Sequence, residues 1–529
     1  MKTRKKFSKN IRSFNNTGRA SLAALLFLFL FAPVLMAGNP PETKSTDIPG
    51  ITQDELKGHV YFLASDYMNG RMTGTDDLNR ACQYVESQFK AIGLEPHYQE
   101  FQLTRKTYHF DAPITITTHD AKLEFLNGED YKSNYLFAGA YTGDEAELLC
   151  VGYGIEEPIE DWNDYENLDV EGKAVIIFDG APAFKGKHML SEEKTELYNS
   201  REGRNLKLRN AMMKNPMAIF LVITNDMKET YDGFEAFTEV SSFEYGKENF
   251  FTDIGRPFYK LFLAKQEMSD RIYSDFEIKN GDLGSLSKGE YKKLIKTTYQ
   301  LDLNIRITEQ KEISQNLYAI LEGSDPILKD EYVTVGAHLD HIERVGGRVC
   351  NGADDNASGI SGMIEMAQEV YSQKPGRSVI FVAYSGEETG LYGSKHFVEN
   401  CPVELKKIIV NLNFDCIGRQ GRYASQGHDM FATDTDGIPS NLREIVEELN
   451  AGKYNIKLGY EIPQRSGTSD HASYIEKGIP AVSFFNGGHQ DLHRPTDDPD
   501  KLDYEFMERM TEFGYELIML MANENKLSL

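Results

Sequence analysis

Read for the spacing of its apolar positions, the chain changes character three times. Residues 52–100 read as helices. ITQDELKGHVYFLASD offers Thr52 as a cap before an apolar-periodic run, and LNRACQYVESQFKAIGL repeats apolar side chains at Ala81, Tyr84, Val85, Phe89 and Ile92 until Gly93 stops it. The polar loop NGRMTGTDD lies between them. From about 110 to 298 the period shortens: ITITTHDAKLEFL alternates, and AELLCVGYGI, KAVIIFDG and AIFLVITN are short apolar runs separated by charged, turn-rich segments. This stretch predicts a mostly β insertion. From 299 onward strands and helices alternate: YVTVGAHLD, then GISGMIEMAQEVYS; SVIFVAYSG, then YGSKHFVEN; KIIVNLNFD, then SNLREIVEEL; AVSFFNG, then a long helix over 503–523. Such alternation predicts an α/β fold whose central sheet is mostly parallel and flanked by helices. The catalytic-type domain is therefore expected at 48–109 and 299–525, interrupted by the insertion at 110–298.

The first 37 residues stand apart. Lys2, Arg4, Lys5, Lys6, Lys9, Arg12 and Arg19 form a basic lead, an apolar run follows from Ser21 to Met36, and Ala37–Gly38 is a small-residue junction. This pattern predicts a signal peptide over 1–37 and export to the periplasm or the medium. The apolar run is short for a membrane span, and no membrane-length stretch follows it, so no stable insertion of the mature chain is expected. The net charge of −25 over 529 residues argues against nucleic acid as a partner. Cys82, Cys150, Cys350, Cys401 and Cys416 are scattered and odd in number, so no disulfide framework is expected, although one bridge is permitted.

Ligands of open α/β sheets bind beyond the carboxyl ends of the strands. There the sequence places His338 and Asp340, then Asp354 and Asp355 in GADDNASG, then Glu387 and Glu388, then Asp415, and finally His493. Imidazole and carboxylate donors suit zinc, and five or more of them, with one carboxylate able to bridge, suit two ions about 3.5–4 Å apart. Asp340 lies two residues along the strand from His338, on the same face, so its carboxylate is expected to accept from the second ring nitrogen. Adjacent glutamates at a strand end repel unless something compensates them; Glu388 as a ligand and Glu387 as a general base resolves the conflict.

In combination, HLD, GADDNASG, SGEETGLYGS, NFDCIG, SDHASYIEKGIPA and LHRPTDDPDKLDY resemble the secreted di-zinc aminopeptidases, a family that also holds glutamate carboxypeptidases and glutaminyl cyclases. LASDYMNGRMTGT is similar to that family's entry motif, and GYGIEE through DYENLDVEGKAVIIFDG resembles a protease-associated domain. The resemblance implies a phosphorylase/hydrolase-like sandwich and two zinc ions per chain. By it, the ligands are His338, Asp355 (bridging), Glu388, Asp415 and His493, with Asp354 the second choice for the bridge. Glu387 is the base and Asp340 orients His338. Ser469, Asp470 and His471 match a motif near the site, without a stated role. The remaining histidines, including His341 and His489, are expected at the surface or rim. The implied activity is removal of residues from peptide or protein substrates with a free N-terminus. A carboxypeptidase or glutaminyl cyclase is the alternative, an inactive binding protein the third. Side-chain preference and oligomeric state are unknown from the sequence.

Overall fold

The computed structural model describes residues 50–524 apart from 138–143, 224–230, 233–235, 237, 247–258, 277, 279–282, 346, 434–439 and 461–468. The expected signal peptide lies outside the described residues. Two early helices form as their patterns require. Gln53–Leu63 starts where Thr52 accepts from the Glu55 amide and buries Leu56, Val60 and Leu63. Asp76–Ile92 starts where Thr75 accepts from the Leu78 amide and buries Leu78, Ala81, Cys82, Val85 and Phe89. Gly93 closes it at φ +106, where Tyr371 also leaves no room for a side chain.

Nine strands of the described residues make one sheet. Its order is Glu239–Tyr245, Pro96–His109, Arg306–Leu321, Ser378–Tyr384, Tyr332–His338, Ile408–Asp415, Ala481–Phe485, Met430–Thr433 and Leu458–Gly459. The four strands from Ser378–Tyr384 to Ala481–Phe485 run parallel. The expectation of a mostly parallel sheet holds for this heart and for the edge pair Met430–Thr433 and Leu458–Gly459, while the remaining pairs are antiparallel. Pro96–His109, whose first five residues were expected to be helical, is a strand and pairs antiparallel with Arg306–Leu321 in one register from Pro96↔Ala319 to His109↔Arg306. An antiparallel pair needs no crossover helix, so the edge strands carry no strand–helix alternation to be read.

Alternate residues of the heart face opposite ways. Val379, Phe381 and Ala383 pack with Val333, Val335, Val410, Leu412 and Phe484 under the helices Gln53–Leu63, Asp76–Ile92, Gly359–Gln373 and Tyr504–Asn523. Ile380, Val382 and Tyr384 pack against Phe397, Val398 and Tyr474 from the helices Tyr392–Glu399 and His471–Ile475. With both faces covered, strands such as Ser378–Tyr384 are buried at every position, which is why they read as unbroken apolar runs.

A second sheet of eight described strands has its own cores. It takes Ile114–Thr117, Lys122–Phe125, Tyr131–Phe137, Glu145–Cys150, Ala174–Phe178, Ala218–Val222, Tyr259–Ala264 and Thr298–Asp302. The expected mostly β character is diluted by the helices Glu192–Asn199, Arg201–Met212, Gln266–Ile272 and Lys288–Leu294. Neither does the chain divide cleanly at 298/299. Thr298–Asp302 belongs to the second sheet, whereas Glu239–Tyr245 returns to pair with Pro96–His109 at the edge of the first. No described helix is long and apolar enough to cross a membrane. All five cysteines are free.

Phe513 is fully buried in the last helix, with its ring 5.4 Å from Tyr454 and 5.5 Å from Phe484. Phe513→Ala should cost about 3–5 kcal/mol and lower the urea midpoint. Ile327→Ala, at a side chain 82% exposed, should leave the midpoint where it was, within the equivalent of about 0.5 kcal/mol. Equal midpoints for the two variants would contradict the packing described.

Candidate metal centre

The parallel strands end level with one another, His338 pairing with Tyr384 in register. Their carboxyl ends bring the expected residues together. His338 Nε2 lies 3.4 Å from both Asp355 Oδ1 and Asp415 Oδ1, and 3.9 Å from Glu387 Oε2. His493 Nε2 lies 3.1 Å from Asp355 Oδ2 and 3.0 Å from Glu388 Oε2. Asp355 thus turns one oxygen toward each histidine. All of these side chains are buried or nearly so, except that of His493, which is 52% exposed and marks the open side.

Asp354, adjacent in sequence, faces elsewhere. It accepts from the Gly418 amide at 2.7 Å and the Asn486 side chain at 2.6 Å, and lies 3.1 Å from His489 Nε2. With its oxygens occupied in joining three loops, Asp354 is not placed to bridge. Asp497 accepts from the amides of Asp354 and Asp355 at 3.0 and 3.1 Å and so fixes the loop that carries Asp355.

Asp340 differs from expectation. The second ring nitrogen of His338 donates to the main-chain carbonyl of Asp340 at 3.0 Å, while the nearer carboxylate oxygen is 3.8 Å away. A carbonyl only accepts, so Nδ1 carries a hydrogen and Nε2 is the nitrogen that faces the site. The carboxylate instead holds the glutamate turn. It accepts from the amides of Glu387 at 3.3 Å and Glu388 at 3.4 Å, and from the Thr73 hydroxyl at 2.6 Å. Thr73 in turn accepts from the Gly386 amide at 3.1 Å.

Arg71, also from the NGRMTGT loop, is fully buried. Its guanidinium donates to the carbonyls of Leu63 at 2.6 Å, Asn351 at 2.8 Å, Leu339 at 3.0 Å and Gly352 at 3.1 Å. One side chain therefore staples the His338 loop, the Asp355 loop and the first helix. Burial lowers its pKa to about 10 against the pull of Asp355, Asp340, Asp497 and Glu388, so it stays charged at neutral pH.

Burial and neighbouring charges shift the ionisable groups of the cluster in opposite directions. Burial, with Glu388, Asp415 and Asp470 nearby, pushes the Glu387 carboxyl well above the usual range, and His338 opposes this only in part. Burial alone would raise Glu388 too, but His493 holds it at about 2. Burial would lower His338, yet Glu387 and Asp415 raise it well above an ordinary histidine, as Glu388 does for His493. Donor separations of 3.0–3.4 Å match the edge of a tetrahedron about an ion with bonds near 2.0–2.1 Å, which is about 3.4 Å. The nitrogen and oxygen donor set suits zinc.

Several participants escaped the sequence reading. His341, expected at the rim, is buried, with Nδ1 2.7 Å from Glu388 Oε1. The His489 side chain is likewise nearly buried, against Asp354. HLDH does carry a second histidine one residue past Asp340, and that was the available signal. Asp497, Thr73 and Arg71 had none beyond lying in loops of the recognised motifs. Of the residues left without a role, Ser469 accepts from Asn413 at 3.0 Å, on the strand that ends in Asp415. Asp470 and His471 are fully buried beside the centre; burial raises Asp470 to about 7 and lowers His471 to about 4.

Residues 316–518 match the sequence model of peptidase family M28. Aminopeptidase YwaD of Bacillus subtilis is 30% identical over 197 residues, covering 34% of this chain and 40% of that protein. An aminopeptidase of Pseudomonas aeruginosa is 32% identical over 198 residues, covering 36% of this chain and 34% of that protein. The matches thus span two fifths or less of these curated relatives. Among solved structures, the aminopeptidase from Aneurinibacillus sp. strain AM-1 superposes with TM-score 0.56 at 20% identity, over 90% of this chain and 95% of that one. BSAP, a zinc aminopeptidase from Bacillus subtilis, gives 0.53 at 18% identity, over 90% and 97%. These superpositions show a shared α/β fold across both sheets. The matched stretch contains His338, Asp355, Glu387, Glu388, Asp415 and His493.

Two outcomes follow from the geometry and charge. Arg71→Met leaves buried carbonyls without donors and removes the buried cation; it should cost at least about 3 kcal/mol and lower the melting temperature, and an unchanged melting curve would refute the stapling role. Because His338 and His493 are raised well above an ordinary histidine in the metal-free protein, zinc binding at pH 7 should release protons, with affinity falling as pH drops. Calorimetry in buffers of different ionisation enthalpy reads this directly, and a heat independent of buffer would contradict it.

Proposed function

We propose that this protein is a zinc-dependent exopeptidase that removes residues from the free amino end of peptides, using two ions held by His338, Asp355, Glu388, Asp415 and His493. The observation that carries the reading is the donor set: Asp355, Glu388 and Asp415 converge with His338 and His493, enough to hold two ions while leaving Glu387 beside them as a base. Arg71, the cation buried behind them, has its donors committed to main-chain carbonyls and cannot receive a substrate carboxylate. Arg419, an arginine from a site loop, is engaged by Asp491 at 3.1 Å, and Arg344, Arg348 and Arg494 are exposed. A carboxypeptidase would need one of them as a clamp. Arg465 lies outside the described residues. The relatives named above are aminopeptidases, which supports the same branch.

The chemistry that bound zinc supplies is polarisation of the scissile carbonyl and acidification of water. The chain supplies the rest. Glu387, 3.9 Å from His338 Nε2, accepts the proton of the attacking water on its carboxylate and returns it to the leaving nitrogen. His338 presents Nε2 because Nδ1 is committed to the Asp340 carbonyl. The Asp340 carboxylate holds the amides of Glu387 and Glu388, so base and ligand keep a fixed relation. The basic, then apolar, leader supports export to the periplasm or medium. The second sheet, with its own cores, is read as a protease-associated domain on the likeness of its sequence.

The test uses one short peptide free at both ends, acetylated at the amine, or amidated at the carboxyl end. Acetylation should abolish release of residues and amidation should not. Glu387→Gln should lower kcat by about 10²-fold or more while zinc content stays the same. Cleavage of the acetylated peptide from its carboxyl end would select the carboxypeptidase alternative, and loss of ammonia from an N-terminal glutamine the cyclase.

A further inference from the structure

His341 is a histidine that the strand-end pattern does not require, yet the fold builds a place for it. Its side chain is fully enclosed, and its amide donates to the Arg71 carbonyl at 3.4 Å. Its ring lies on Gly352. A Cβ at that glycine would sit 2.5 Å from His341 Cδ2 and 2.6 Å from Cγ, and the residue has φ +56, so both space and backbone demand glycine there. Nδ1 meets Glu388 Oε1 at 2.7 Å, while the other oxygen, Oε2, faces His493 Nε2 at 3.0 Å. The two oxygens of Glu388 are thus claimed separately. An ionised carboxylate only accepts, so Nδ1 is the donor.

The last torsion of a glutamate is broad, and a carboxylate without a partner turns freely between presenting one oxygen and presenting two. Resting on the reading of this cluster as a metal centre, we infer that His341 is a positioning residue: by holding Oε1 it makes Glu388 offer Oε2 alone to the position shared with Asp355 and His493. The position formed by His338, Asp355 and Asp415 receives no contact from His341 except through Asp355, whose Oδ2 is 3.8 Å from Nδ1. The two positions are therefore inequivalent, and the loss of His341 falls on one of them.

The experiment titrates zinc into the metal-stripped full chain against a competing chromophoric chelator, for the wild type, His341→Leu and His341→Asn. Asparagine can place an N–H close to where Nδ1 lies; leucine fills the volume and donates nothing. The leucine variant should weaken one of the two zinc affinities by about 10- to 100-fold, the size of effect typical for a residue that orients a metal ligand. Its other affinity should change little, and the melting temperature of its metal-free form should stay near that of the wild type. The asparagine variant should recover most of the loss. Wild-type affinities in the leucine variant would overturn the inference. So would an asparagine variant as weak as the leucine one, because the imidazole would then be a direct ligand. If the leucine variant does not fold, the asparagine variant decides alone: two retained affinities support the inference and a lost one overturns it. A wild-type chain that takes up no zinc would overturn the metal-centre reading itself, and this inference with it.

Discussion

Carboxylates held a few ångströms apart where water is scarce repel one another strongly, and they stay ionised only if something positive is brought to them. Asp355, Glu387, Glu388 and Asp415 are held in this way by the level ends of parallel strands. Much of the surrounding structure answers that one problem. Arg71 supplies a fixed positive charge from behind while its hydrogen bonds serve the backbone. His338 and His493 are raised well above an ordinary histidine. A cation in the middle would satisfy all of these groups at once, so a cluster this costly to assemble reads as a binding site rather than as a structural ion-pair network.

The same constraint explains why the loops are tied so closely. Small displacements of a ligand or base cost a great deal in catalysis, and loops are otherwise the least ordered part of a fold. Here each loop is pinned by a carboxylate that receives main-chain amides. Asp340 holds the glutamate turn, Asp497 holds the Asp355 loop, and Asp354 joins that loop to the segments around Gly418 and Asn486. The segment from Arg71 to Thr73, far away in sequence, completes the arrangement from the opposite side. The strand Glu239–Tyr245, which returns from the insertion to the edge of the first sheet, touches this mechanical frame. Its Phe243 and Tyr245 pack with Phe101, Leu103 and Tyr392 and against Met72, next to Thr73.

Much of the fold was legible because the helices and the heart of the sheet bury one face or both, and burial imposes a period. The runs YVTVGAHLD, SVIFVAYSG and KIIVNLNFD, and the helix before Gly93, are such cases. Pro96–His109 was not legible. It is half exposed along its length, with only Pro96, Phe101, Leu103, Thr104 and Tyr108 buried, and its partner strand begins 197 residues after it ends, at Arg306 against His109. Nor was the return of Glu239–Tyr245 to the first sheet, since strand pairing leaves no mark in either strand alone.

For the site, the order of residues along the chain determined which donors are present. A histidine, an aspartate or a glutamate at each strand end is a local fact, fixed by where each apolar run stops. Only the tertiary structure decided which oxygen faces which nitrogen. It put Asp355 rather than Asp354 between the two histidines, gave the His338 hydrogen bond to the Asp340 carbonyl rather than the carboxylate, and buried His341 against Glu388. Those choices depend on the direction of side chains and on close approaches such as that of Gly352 to an imidazole ring. Direction and approach are set by packing between segments that the sequence keeps far apart, and so no local pattern records them.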